Sequence, residues 1–274
     1  MKLSEFKREI RLRLTLIRAN TVFTFQQETA YWANNWTSIL STTFYMISTI
    51  ISIDVVYNNV KLVAGYHRDQ MLLFLLIGQS VYYIGWAIQG NLDELISSVN
   101  RGNLDLILAK PVPSLFYAQF RRIKIFSSFR DGLVPTIAVV WAINWQMLSI
   151  SWQNALWGIL IAIMGMIISN IIFLLSTLPV FILGESSGLL DASKSFEYTS
   201  GHMVPYEGFT SNMRLVFTYI FPSLISAGIA TSVMLGKTST VPLIYGVLVV
   251  AIVFLLLRLV MWKRVLRTYT SASS

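Results

Sequence analysis

The sequence predicts an all-α protein that crosses a membrane six times, and three observations predict it. Hydrophobic residues fill 55% of the 274 positions and charged residues 12%, about half the charged share of an ordinary globular domain, and the mean hydropathy is +0.62. The 53 residues from 132 to 184 carry no charge at all. Of the 21 Lys and Arg, 16 fall in three segments, 1–31, 95–131 and 258–267. At about 20 residues per crossing, one membrane domain over 1–274 has room for about six crossings, modest loops and no sizeable soluble part, so any catalytic head sits on another chain. Cys is absent and there are two His, His67 and His202. Disulfides, thiolate nucleophiles and Cys-ligated zinc are thereby excluded, and the histidines are too far apart in sequence to suggest a metal site.

Residues 1–31 contain no uninterrupted apolar core of the kind a secretory signal needs. They read as an amphipathic helix: at 100° per residue Leu3, Phe6, Ile10, Leu14 and Ile17 share one stripe, with Lys2, Lys7, Arg8, Arg11, Arg13 and Arg18 to its sides. Such a helix lies in the membrane interface, its cations among anionic headgroups; packing on a soluble partner is the plainer alternative. Spans follow at 33–57 and 71–92. The uncharged stretch from 132 would make a single helix about 80 Å long, more than twice the hydrocarbon thickness, so it folds back as 132–148 and 154–183. The turn is expected at Ser149 to Asn154, amid Trp141, Trp145, Trp152 and Trp157, as in an aromatic belt. The three basic segments put both termini and the 95–131 segment in the cytoplasm. The net charge of +8 is therefore a topological and lipid-facing signal, and nothing resembles a module that reads RNA or DNA.

With both termini on one side the number of crossings is even, yet three candidates remain: a polar segment 185–203, an uncharged segment 215–236 and an apolar run 240–260. If 215–236 crosses, 185–213 is a cytoplasmic loop carrying Glu185, Asp191, Glu197 and Glu207 against Lys194. If 185–203 crosses, the 211–236 region dips in from outside and returns, broken by Pro222 into half-helices. The second arrangement is the one adopted, with 240–260 as the last span.

On the 185–203 helix, Ser187, Asp191, Lys194, Tyr198 and His202 share one arc, and Leu189, Ala192, Phe196 and Met203 lie opposite. Charges at bilayer depth are costly unless paired or wetted. Asp191 and Lys194 are spaced to pair, and Glu197, three residues on, is placed to share the lysine. The polar face lines a passage between two packed chains, forms a static ion pair sealing their seam, or, in the other arrangement, belongs to a cytoplasmic loop. Gln79, Gln89, Asn91 and Asn170 are further amides at membrane depth, a class that mostly bonds between helices.

The segment after the second span reads Arg101-Gly102-Asn103-Leu104-Asp105-Leu106-Ile107-Leu108-Ala109-Lys110-Pro111-Val112-Pro113-Ser114-Leu115-Phe116. It resembles the G-x-L-D-x-x-L-x-K-P-x-x-x-L-F run of type 2 ATP-binding cassette permeases, in the subfamily of uncharacterised bacterial export permeases. Ser200-Gly201-His202-Met203-Val204-Pro205 is similar to that family's S-G-x-x-x-P, and the tail from Trp262 to Ala272 to its W-x-x-x-L-R-x-Y-T. Phe209 stands where relatives commonly carry a second proline. The resemblance implies six helices, a coupling helix in the 101–116 region that docks on a separate ATPase, and an outer re-entrant gate at Gly201, Pro205 and Pro222. On the residues themselves, Asp105 suits the first turn of a short helix, Pro111 and Pro113 end it, and Leu104, Ile107 and Leu108 make an apolar side that needs a cover. That cover is the bilayer, another protein or the chain's own spans. The coupling set is thus Gly102, Leu104, Asp105, Ile107, Leu108, Pro111 and Pro113.

Gly236-Lys237-Thr238 looks like the end of a phosphate loop, but Thr231 stands where that loop requires its first glycine. No cofactor is expected on this chain; ATP and Mg belong to the partner. The expected assembly pairs this chain with a second permease chain, identical or different, and two copies of a cytosolic ABC ATPase in the bacterial inner membrane, in contact with lipid and not with nucleic acid. It would move a hydrophobic or amphipathic substrate (lipid, peptide or drug) outward. The alternative is an ion-coupled secondary transporter working through Asp191 and Lys194, for which internal repeats would be expected and none is seen. An intramembrane enzyme would need a nucleophile and a base on facing spans.

Overall fold

A computed structural model describes residues 3–30, 32–238 and 240–269, with side chains from 8 onward apart from those of 32–34 and 240. Lys2 and the tail residues Thr270 to Ala272 lie outside the described residues, as do the side chains of Leu3, Phe6 and Lys7. In chain order the helices are α1 (Leu3–Thr29), α2 (Trp32–Asn59), α3 (Arg68–Asn100), α4 (Leu104–Leu108), α5 (Ser114–Phe120), α6 (Ile125–Ala142), α7 (Trp152–Thr177), α8 (Val180–Leu183), α9 (Ser187–Glu197), α10 (Ser211–Leu215), α11 (Ala230–Met234) and α12 (Thr240–Thr268). Wide π turns extend α9 through Tyr198–His202 and α10 through Val216–Ile220, and another, Ile225–Ile229, leads into α11. No strand occurs among the described residues.

Among those residues four helices are long and apolar enough to cross a membrane: Asn35–Asn59, Arg68–Asn100, Trp152–Leu183 and Val241–Thr268. The bent pair Ser211–Ile220 and Ile225–Met234 makes a fifth if it counts as one span. Two expected spans fall outside this set for physical reasons. α6 carries Arg130 and Asp131 in its first half, and α9 is eleven residues long and polar.

The span expected at 132–148 is shifted. α6 starts at Ile125 because its charges are satisfied inside the fold: Arg130 Nε donates to Asp131 at 2.6 Å, Ser38 donates to the same carboxylate at 2.8 Å, and Asn35 takes a second bond from the guanidinium. It ends at Ala142 because the next amides find other acceptors. Asn144 N donates to Asp69 at 2.9 Å, and the Asn144 side chain receives Gln146 N. The connection to α7 therefore begins at Ile143, ahead of the expected Ser149, and Ser151 caps α7. Arg68 closes the same end by donating to Asp54 and to the carbonyl of Ala142. We call this the far end, and the end carrying α4 and α5 the near end.

α3, largely buried along its length, is the central post against which α6 and α7 pack. α7 carries a stripe of small buried residues, Gly158, Ala162 and Gly165, at helical spacing, and this stripe receives the second half of the bent pair. A methyl placed on Gly165 would lie 2.5 Å from the Ser226 backbone, and one on Gly158 would lie 2.8 Å from the Ala230 carbonyl oxygen. Backbone-to-backbone approach of this kind is what small residues permit between helices at membrane depth.

The bent pair turns by 108° at Phe221 to Leu224, around Pro222. Both of its free ends sit at the far end. Arg214 donates to the Glu207 carbonyl at 2.9 Å, Ser232 donates to the Glu207 carboxylate, and Lys237 donates to Gly65 O while lying 3.8 Å over the Tyr66 ring. α9, by contrast, starts at the near end, where Ser186 Oγ donates to Thr177 O at 2.9 Å. Its continuation reaches the far end, where Gly208 meets Ala64.

α1 packs its C-terminal part on α6, with Phe25 edge-on to Phe126 and Glu28 receiving Ser127. Ile10 and Leu14 of its expected stripe are exposed, and Arg13 lies over Phe116 of α5.

Candidate functional site

Two places on this scaffold bear on function. The first is the near end. α3 stops in a Schellman turn: Asn103 N bonds Ser98 O at 2.9 Å and Gly102 N bonds Val99 O at 3.1 Å, which places Gly102 at φ +70°. Only glycine takes that conformation without strain. The turn aims α4 back under the bundle. Leu104 and Ile107 enter a cluster with Leu95 and Val99 of α3, Leu174 of α7 and Trp262 of α12.

The apolar side of α4 is thus covered by the chain's own helices, one of the three covers open from the sequence, and Leu104 and Ile107, expected as docking contacts, are buried in this chain. Leu108 packs against the same cluster. The outward face is a different set: Leu106, 68% exposed, with Arg101, Asn103, Ala109, Lys110, Pro111 and Pro113. Asp105 lies half-buried between the two faces. Burial, with the charge of Asp105 behind it, pushes the Tyr269 phenol above its ordinary value.

Two of the motifs quoted above meet here. Trp262 Nε1 donates to Ser114 Oγ at 3.1 Å, and Phe181 packs edge-on to both Trp262 and Tyr269. Trp262→Phe is expected to lower stability by about 1–2 kcal/mol through the lost hydrogen bond and ring area. Thermal unfolding of the purified variant checks this.

Deeper in the bundle, Asn91 of α3 donates to the carbonyls of Gln119 and Arg122, and Gln119 joins Asn170 of α7 to Arg258 of α12. Asn91 and Asn170 are therefore interhelical ties, whereas Gln79 and Gln89 line open space.

The second place lies beside α9. Lys194, Glu197, Tyr198 and His202 come together around a cavity of about 90 Å³, closed by α3 and α7. Ser187 and Asp191 are exposed near the start of α9 and do not line it. The expected pairing of Asp191 with Lys194 is loose, at 3.9 Å. The lysine instead sits 3.3 Å from both carboxylate oxygens of Asp93 on α3. Glu197 does not share Lys194; Ser169 of α7 donates to it. The Tyr198 and Tyr45 hydroxyls are bonded across the cleft between α9 and α2, and Tyr82 stacks edge-on to both Tyr198 and His202.

Asp93, Tyr45, Tyr82, Trp86 and Ser169 were not singled out by sequence reasoning. A tyrosine or tryptophan in an apolar span reads as packing until its neighbours are known, and Asp93 carries no periodic signature.

At the tip of the bent pair, Gly201 is pressed against the turn: a methyl there would come within 2.4 Å of Ser223 O. Ser200 Oγ donates to Ser223 Oγ at 2.8 Å. Pro205 leads the chain into the Tyr206–Gly208 turn at the far end, and Pro222 is buried in the break itself. Phe209, in place of the family's second proline, stacks edge-on to Phe217 with ring centres 5.4 Å apart.

Neither the comparison with curated proteins nor that with solved structures returns a match. A family model described as ABC-2 family transporter protein matches residues 43–273, from the middle of α2 to the tail. The chain is accordingly a multi-pass membrane transport component whose ATPase is a separate ABC subunit, and it belongs to the ABC-2 family of transporter proteins.

Proposed function

We propose that this chain is one half of an ATP-driven exporter in a bacterial inner membrane, with six crossings formed by α2, α3, α6, α7, α9 and α12. The bent pair would then be an outer re-entrant plug. Arg101, Lys110, Arg121, Arg122 and Lys124 gather at the near end and favour a cytoplasmic location for it and for both termini. Two permease halves, the second being the same or a related chain, would work with two ATPase copies that bind ATP and Mg. They would carry a hydrophobic or amphipathic substrate outward by alternating access.

The observation that carries this reading is the two-sided character of α4. Its inner side is locked into a cluster shared by α3, α7 and α12, while its outer side offers exposed Leu106 beside Lys110 and Pro111. A push on that outer face reaches several spans at once, as coupling through a packed two-state element requires.

Leu106→Asp tests the reading. Co-purification with the ATPase subunit should weaken at least tenfold, equivalent to about 1.4 kcal/mol or more, with the melting temperature of the permease unchanged. Unaltered association would sink the coupling role. The ion-coupled alternative is not favoured by the family match.

A further inference from the structure

The bent pair occupies only the far half of the space beside α7. Its turn stops near Gly165, about midway along that helix, where Ser226 rests. Below the turn no helix continues it, and α7, α9 and the first half-helix enclose a groove of about 530 Å³, a size typical of small-molecule sites. Ile172, Phe173, Leu189, Phe196, Phe217 and Phe221 give it apolar walls.

Among its lining residues Glu197 alone is ionisable. The groove's hydroxyls are engaged elsewhere: Ser176 with Ser193 at 2.6 Å, and Ser223 with Ser200. Among the described residues Ser169 is the one hydrogen-bond donor to Glu197, although a carboxylate offers about four acceptor sites. Lys194, one turn earlier on α9, is not bonded to it; its ammonium lies 3.3 Å from both carboxylate oxygens of Asp93. Glu197 also lines the cavity shared with Tyr82, Gln89, Tyr198 and His202. It forms the wall between an apolar groove on one side of α9 and the small cavity on the other.

We propose that this groove is the intake for the cargo and that the cargo is a cationic amphiphile, its apolar body lying along α7 and α9 and its amine bonded to Glu197. A charge at bilayer depth is costly unless paired. An amine supplies both the missing donors and the opposite charge. A neutral lipid tail supplies neither, and an anion adds repulsion. The cytoplasmic-leaflet position of the groove and the export direction rest on the exporter reading above.

The test uses the permease with its ATPase in a lipid bilayer and three photoreactive probes of one chain length: an aliphatic amine, the matching alcohol and the matching carboxylic acid. At equal membrane concentration and without nucleotide, the amine should label residues 172–196 and 216–221 at least tenfold more than the acid. Glu197→Gln should bring amine labelling down to the level of the alcohol while alcohol labelling stays constant, which also reports that the groove is intact. Should the variant lose alcohol labelling, the amine-to-acid ratio in the unaltered protein decides alone. Equal labelling by all three probes, a preference for the acid, or a Glu197→Gln variant that keeps its amine preference would each overturn the proposal. ATP-driven transport that the amine does not inhibit would overturn it as well, and would leave the exporter reading standing. Amine-selective labelling without any ATP-driven movement supports the site and removes the exporter reading instead.

Discussion

Gly165→Leu is expected to produce a large loss of folded protein. The glycine lies against Ser226 so closely that even a methyl would sit 2.5 Å from both its N and Cα atoms. Both partners are backbone, one in a long helix and the other in a turn clamped at its tip by the Ser200–Ser223 hydrogen bond, so neither can rotate away as a side chain would. Overpacking a core costs about 1–3 kcal/mol where neighbours can adjust; here the upper end, about 3 kcal/mol, is expected. It should appear as a lower melting temperature and as new accessibility of a cysteine placed at Ser223 in this naturally Cys-free chain. Gly188→Ala is the control. That glycine has open space around it in the first turn of α9, and its replacement should be neutral or slightly stabilising by helix propensity. Equal melting temperatures for Gly165→Leu and the unaltered protein would show that the bent pair does not depend on this contact.

Leu104→Asp should be at least as damaging, and for a reason that separates it from its neighbour two residues on. Leu104 is fully buried among Leu95, Val99 and Trp262. A carboxylate there loses the packing of the leucine and gains an unpaired charge, together worth about 4 kcal/mol. The expected result is poor recovery of monodisperse protein, in contrast to Leu106→Asp, which should purify normally and fail only in ATPase association. If both variants fold and both fail to associate, α4 is not anchored as described. If Leu104→Asp folds and associates, the near-end cluster is not what holds the helix.

That contrast shows where the sequence was informative and where it was silent. The repeat of Leu104, Ile107 and Leu108 marks an apolar side on α4, and the positive-φ requirement at Gly102 marks the turn before it. Periodicity states only that something covers the side; which of bilayer, partner or self does so depends on where α3 ends and α12 passes, at separations no local pattern encodes. Pro222 in an uncharged stretch announced the break, and the 108° turn follows from it. α6 begins ahead of the uncharged stretch because Ser38 and Asn35 from α2 satisfy Arg130 and Asp131 inside the helix, which the charge pattern alone does not reveal. Likewise Lys194 was matched to the nearest acid along its own helix, and its closer partner, Asp93, lies 101 positions away in sequence. Interactions within a helix are legible from spacing; those between helices become so only once the bundle is assembled.

The length of α3 has a mechanical consequence. Its 33 residues form an unbroken strut about 50 Å long, rooted beside α4 at one extremity and beside the Tyr66–Lys237 contact after the bent pair at the other. A tilt of about 5° at its base would swing its tip by roughly 4 Å, comparable with the 3.8 Å separation of that cation–π contact. Leverage alone would therefore let a small tilt of α3 disturb the hold on the bent pair, with no change in the internal shape of any helix.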